Sequence, residues 1–152
     1  KTDVVEFKMI LKFLKNKDNS SLKNEVSDLI KITALLIHAA KIDENYTEVE
    51  KKIIFNFLLN FSKKNEQEVN EIIKNGENYE NNSNQILEFT KSVKKMDLKI
   101  RTLVLETLWQ IILSDNKSGQ YEDNLIRRIC GLLYLPDKLS GQIKQNILQE
   151  KK

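Results

Sequence analysis

A pattern of helix, acidic turn and helix occurs twice in this 152-residue chain, 72 positions apart, and it limits the fold more than any other feature. Asp43 and Glu50 of the first copy return as Asp115 and Glu122 of the second. The apolar registers agree on both sides of the turn. Leu36 meets Leu108 and Ile54 meets Ile126, while Ile32, Ala39, Ala40, Ile53, Phe57 and Phe61 meet Val104, Ile111, Ile112, Leu125, Ile129 and Leu133. One helical hairpin of this size cannot bury its apolar faces alone, whereas two packed together can. The expected fold is therefore all-α, with about seven or eight helices built around two pseudo-symmetric helical hairpins. Pseudo-two-fold packing would place the acidic turns in related environments.

Composition agrees. Four Gly and one Pro are too few for the many tight turns of a sandwich or barrel. Leu, Ile, Lys, Glu and Asn dominate, which favours helix. With 40% apolar and 31% charged residues the chain is globular in type, and with no linker visible it is expected to form one domain over 1–152. Cys130 is the only cysteine, so an internal disulfide and a cysteine-based zinc cluster are excluded, and a reducing compartment fits. The most apolar stretch, 103–113, is interrupted by Glu106 and falls short of the roughly 18 residues a membrane span requires. No signal-peptide pattern is visible. Because the chain opens on Lys1 rather than Met, a trimmed segment ahead of it is expected. A cytoplasmic protein, at most peripheral to a membrane, is the corresponding expectation. The net charge of +3 gives little support to nucleic-acid binding. It divides into −3 over residues 41–80 and +6 elsewhere, an acidic face on a mildly basic body.

Apolar spacing predicts a short first helix around Val4 to Phe13, a loop over 16–21, and helices over about 23–42, 47–61, 66–76, 85–95, 97–114, 120–134 and 137–149. Residues 78–84 are predicted as a polar loop and Pro136 as the stop of the seventh helix. Thr47-Glu48-Val49-Glu50 has capping-box spacing, in which each end residue's side chain satisfies a free backbone N–H of the other.

Two readings of the repeated acids follow. In one, Asp43, Glu50, Asp115 and Glu122 offer oxygens to a hard cation, and carboxylates suit calcium, magnesium or manganese. The spacing is not that of an EF-hand, because the twelfth positions from Asp43 and Asp115 are Ile54 and Ile126. A site would have to be assembled between turns. In the other reading the acids are structural. Glu50 caps with Thr47, Glu122 holds the equivalent place behind Gly119, and Asp43 and Asp115 accept backbone N–H bonds within their turns. His38, the only imidazole, is expected to pack among apolar neighbours rather than bind a ligand. Cys130 and Trp109 are expected in or near the core, and Arg127-Arg128 on a solvated face. One histidine without a nucleophile motif, and no phosphate-cradling glycine loop, argue against an enzyme.

The chain resembles the TerB family of tellurite-resistance proteins, related to the N-terminal region of the DjlA membrane co-chaperones. The family carries Ala-Asp-Gly, five residues and Glu at a helix–turn–helix, with a second version later. Asp43 to Glu50 and Asp115 to Glu122 keep that Asp–Glu spacing. Phe89-Thr90, Arg101, Leu108-Trp109, Leu125-Ile126-Arg127-Arg128-Ile129 and Leu132-Leu133 are similar to the branch with a phenylalanine-threonine and tryptophan-containing middle. The resemblance covers about 26–136. Ile42 and Ser114 replace the family's Ala, and Glu44 and Asn116 replace its Gly. Asn tolerates a left-handed backbone and Glu does so poorly, which predicts a differently shaped first turn. The resemblance implies stacked helical hairpins, no catalysis, a divalent-cation site at the four acids, and a role in stress-response assemblies, often membrane-associated. The combined expectation is a non-catalytic, metal-binding or metal-responsive interaction module with protein partners. The alternative is an interaction scaffold whose acids are only caps.

Overall fold

The computed structural model describes residues 19–83, 85–115 and 118–151. Seven α-helices make up the described residues: α1 (Asn19–Ala40), α2 (Glu48–Ser62), α3 (Glu66–Ser83), α4 (Ile86–Val93), α5 (Leu98–Ile112), α6 (Gln120–Leu132) and α7 (Asp137–Glu150). A short 3-10 turn, Leu113–Asp115, follows α5. No strand occurs among the described residues. The short helix expected around Val4 to Phe13 lies outside them.

α1 is the centre of the molecule. From Ile32 to Ala40 every residue except His38 is buried, so this segment is covered on nearly all sides. It packs against α2, α3, α4 and α5. α5 plays the matching part in the second half, packing against α6 and α7 as well as α1 and α2. The repeat therefore enlarges from a hairpin to three helices, α1–α2–α3 and α5–α6–α7, with α4 between them touching α1 and α6. Repeat-related residues share one core: Ile32 and Val104, Leu36 and Leu108, Ala39 and Ile111, and Ile54 and Ile126 are all buried.

Some boundaries differ from expectation. Helix α3 runs through the predicted loop at 78–83. The cause is tertiary: Tyr79 packs edge-on to Phe89 at 5.6 Å, and Glu80 is buried against α1. Those contacts outweigh the weak helix propensity of the Asn-rich stretch. Residues 19–21, also expected in a loop, open α1. Helix α6 stops before Pro136. Tyr134 is left-handed (φ 57°), and the Leu135 N–H reaches back to the Cys130 carbonyl at 2.8 Å, a Schellman ending. Pro136 instead caps α7. Arg101 secures the same corner, donating to the carbonyls of Leu133 (2.8 Å) and Met96 (3.0 Å). Trp109 is buried and donates its indole N–H to Ser140 at 2.9 Å, fastening α5 to α7.

Candidate functional site

The first acidic turn begins where α1 runs out. The Lys41 N–H still bonds the Ile37 carbonyl (2.9 Å), and the Lys41 carbonyl then accepts the Glu44 N–H at 2.9 Å. Glu44 takes a left-handed backbone, φ 63°. The expectation of a different turn shape is thus corrected: the chain adopts the conformation a glycine would favour, with a glutamate in place. One oxygen of Asp43 accepts the Asn45 N–H at 3.0 Å, a local turn contact, and the side chain is otherwise exposed.

Thr47 caps α2 with a complete capping box. Its hydroxyl accepts the Glu50 N–H (3.2 Å) and donates to Glu50 Oε1 (2.9 Å), while its own N–H reaches the same oxygen at 2.7 Å. Glu50 is only 6% exposed. The second turn repeats half of this arrangement. Glu122 Oε1 accepts the Gly119 N–H at 2.7 Å, and glycine offers no hydroxyl in return. Ser118 and Lys144 instead hold the neighbouring Asp123, at 2.9 and 3.4 Å.

Charges from the two turns act on each other. Burial raises the Glu50 carboxyl above the usual range; the Thr47 hydrogen bonds oppose this, and the charges of Asp43 and Glu122 add to it. Burial likewise raises Glu122, opposed by the Gly119 N–H and reinforced by Asp43, Asp115 and Asp123. Asp43 thus acts on both glutamates, and the four acids singled out in the sequence form one electrostatic unit. They do not form a ready ligand shell: among the described residues no group of three or more acid, histidine or cysteine side chains is gathered to hold a metal ion.

His38 does not belong to this unit. Its Nδ1 lies 3.2 Å from Glu80 Oε2, and its ring is tilted against Phe89 at 5.7 Å. Glu80 is 4% exposed and also takes the Lys41 ammonium at 2.7 Å. Sequence reasoning missed Glu80, because its partners lie 39 and 42 positions upstream and its own segment looks like a loop. Cys130 is buried, which pushes its thiol up, and Arg127 and Arg128 are exposed. Tyr46 was also missed. Its hydroxyl is buried, and burial and the neighbouring Glu77 carboxylate push it well above the usual phenol range. The Lys51 ammonium sits over its ring at 4.9 Å.

A duplicated three-helix unit with an acidic turn in each copy defines a class of small helical proteins. The family model for tellurite resistance protein TerB matches residues 29–145, and the chain belongs to that family. Compared with curated proteins and with solved structures, the chain has no match. No helix among the described residues is long and apolar enough to cross a membrane.

Proposed function

We propose that this TerB-family chain is a non-catalytic module whose two acidic turns respond to a divalent cation and signal the change to protein partners in a stress-response assembly. One observation carries the reading. Glu50 and Glu122 are both raised by burial, and each is raised further by the other turn's acids: Glu50 by Glu122, and Glu122 by Asp43. A hard cation offsets those charges, and carboxylate oxygens are the donors calcium, magnesium and manganese favour. Each glutamate's helix-cap contacts fall on one oxygen, Oε1. Because no three-ligand group stands assembled, the proposed action is a response rather than the filling of a cage: the ion draws the turns together.

Calorimetric titration of the full chain with calcium, magnesium and manganese tests this. Saturable binding, weakened about tenfold or more in Asp115→Ala, is expected. No heat from any of the three at millimolar concentration would sink the reading. The complete capping box at Glu50 favours a second reading, an interaction scaffold whose acids only cap helices. In that case a pulldown recovers the same partner with and without chelator, and the Asp115→Ala variant keeps that partner.

A further inference from the structure

We propose that Glu80 and Lys151, each at the far end of the third helix of its unit, are positioning residues that fix the two acidic turns. The effect on metal affinity rests on the reading above, whereas the effect on the turns themselves does not.

Lys41 and Leu113 are 72 positions apart, and each lies two residues before the aspartate of its turn. In the first unit Glu80, near the end of α3, holds Lys41 by its ammonium at 2.7 Å, with Asn81 Oδ1 at 2.9 Å from the same nitrogen. The carboxylate is anchored on its other oxygen by His38, at 3.2 Å. Lys41 is also the residue whose carbonyl accepts the Glu44 N–H and so closes the left-handed turn beside Asp43. An ion pair built on a carboxylate with a 5% exposed side chain is a firmer anchor than a pair on the open surface.

The second unit has no lysine at this point, since Leu113 is buried and apolar. The link is made by other atoms: Lys151, which caps the end of α7, donates its ammonium to the Leu113 carbonyl. In one unit the third helix grips a side chain, and in the other it grips a backbone oxygen. The place gripped is the same. Glu80 and Lys151 both reach the residue two positions ahead of the aspartate, so the turns are held from behind.

The test measures backbone amide exchange by NMR on the full, metal-free chain, in Lys41→Met, Lys41→Arg, Glu80→Gln and Lys151→Met. Lys41→Met keeps the alkyl stem of a partly exposed side chain and removes only the ammonium. It is expected to speed exchange at the Glu44 amide about tenfold while leaving Gly119 as it was. Glu80→Gln gives the same pattern more weakly, and Lys41→Arg restores the wild-type rate. Lys151→Met gives the reverse pattern, faster at Gly119 and unchanged at Glu44. An unchanged Glu44 rate in Lys41→Met, or equal loosening of both turns in either variant, overturns the proposal. Manganese titration adds a second arm, in which Lys41→Met binds about tenfold more weakly than wild type and Lys41→Arg recovers. Wild-type binding with undiminished affinity in Lys41→Met overturns the coupling to metal. If the wild type takes up no manganese, the metal reading fails, and the exchange rates still decide the positioning roles.

Discussion

Glu44 concentrates the chemistry of the first turn in one backbone angle. A left-handed conformation costs a residue with a Cβ about 1–2 kcal/mol, and glycine avoids that cost while losing some entropy on folding. Glu44→Gly is therefore expected to raise stability by about 0.5–1 kcal/mol in thermal or urea unfolding, with Glu44→Asn in between. A loss of stability on Glu44→Gly would mean that the glutamate side chain holds the turn. At this same scale Glu50 could be read from the sequence, because its partner Thr47 is three residues away and the capping box is local. Glu80 could not, since nothing near it in the chain explains a buried carboxylate. His38 and Lys41 supply the explanation only once α3 lies along α1.

At the scale of elements, the close approach of α1 and α3 depends on Gly76. A Cβ there would meet Thr33 Cγ2 at 2.6 Å and Thr33 Cβ at 3.0 Å. Gly76→Ala should cost about 1–3 kcal/mol by overpacking. Adding Thr33→Ser should recover part of it, because serine drops the clashing methyl and can still bond the Leu29 carbonyl, as Thr33 does at 2.7 Å. Gly131 is the control. It lies in α6 with open space around its Cβ position, so Gly131→Ala should stabilise by up to about 1 kcal/mol through helix propensity. Equal effects at the two glycines would refute the packing argument. Most helices could be predicted from apolar spacing. The second half of α3 could not, because residues 78–83 carry a loop composition and are helical for the sake of what Tyr79 and Glu80 touch.

Across the whole molecule, the two acidic turns predict a pH dependence. Glu50 and Glu122 are raised in the folded chain, so the folded state binds their protons more tightly than the unfolded state does. Their contribution destabilises at neutral pH. It is relieved as pH falls through the raised values toward the ordinary glutamate value of 4.5. The Glu50→Gln/Glu122→Gln double variant keeps acceptors for both caps and removes both titrating carboxyls. It should be more stable than wild type near neutrality, with the difference shrinking as the solution is acidified. Denaturant unfolding at a series of pH values measures it, and a pH-independent difference would count against the two raised carboxyls as the cause. The doubled core beneath the turns was predictable, because Leu36 with Leu108 and Ile54 with Ile126 keep a common register and end buried together.

The sequence alone determined that this chain is helical, that its acidic turn is duplicated, and that it resembles the TerB family, because helix periodicity and local capping are short-range properties written in consecutive residues. Tertiary structure decided the rest. It enlarged the hairpins into three-helix units and made Glu80 a buried anchor. It buried Glu50, half-buried Glu122 and placed them where the charge of Asp43 acts on both. Those outcomes depend on contacts between residues far apart in the chain, and burial and mutual charge do not exist for a carboxylate until such contacts form.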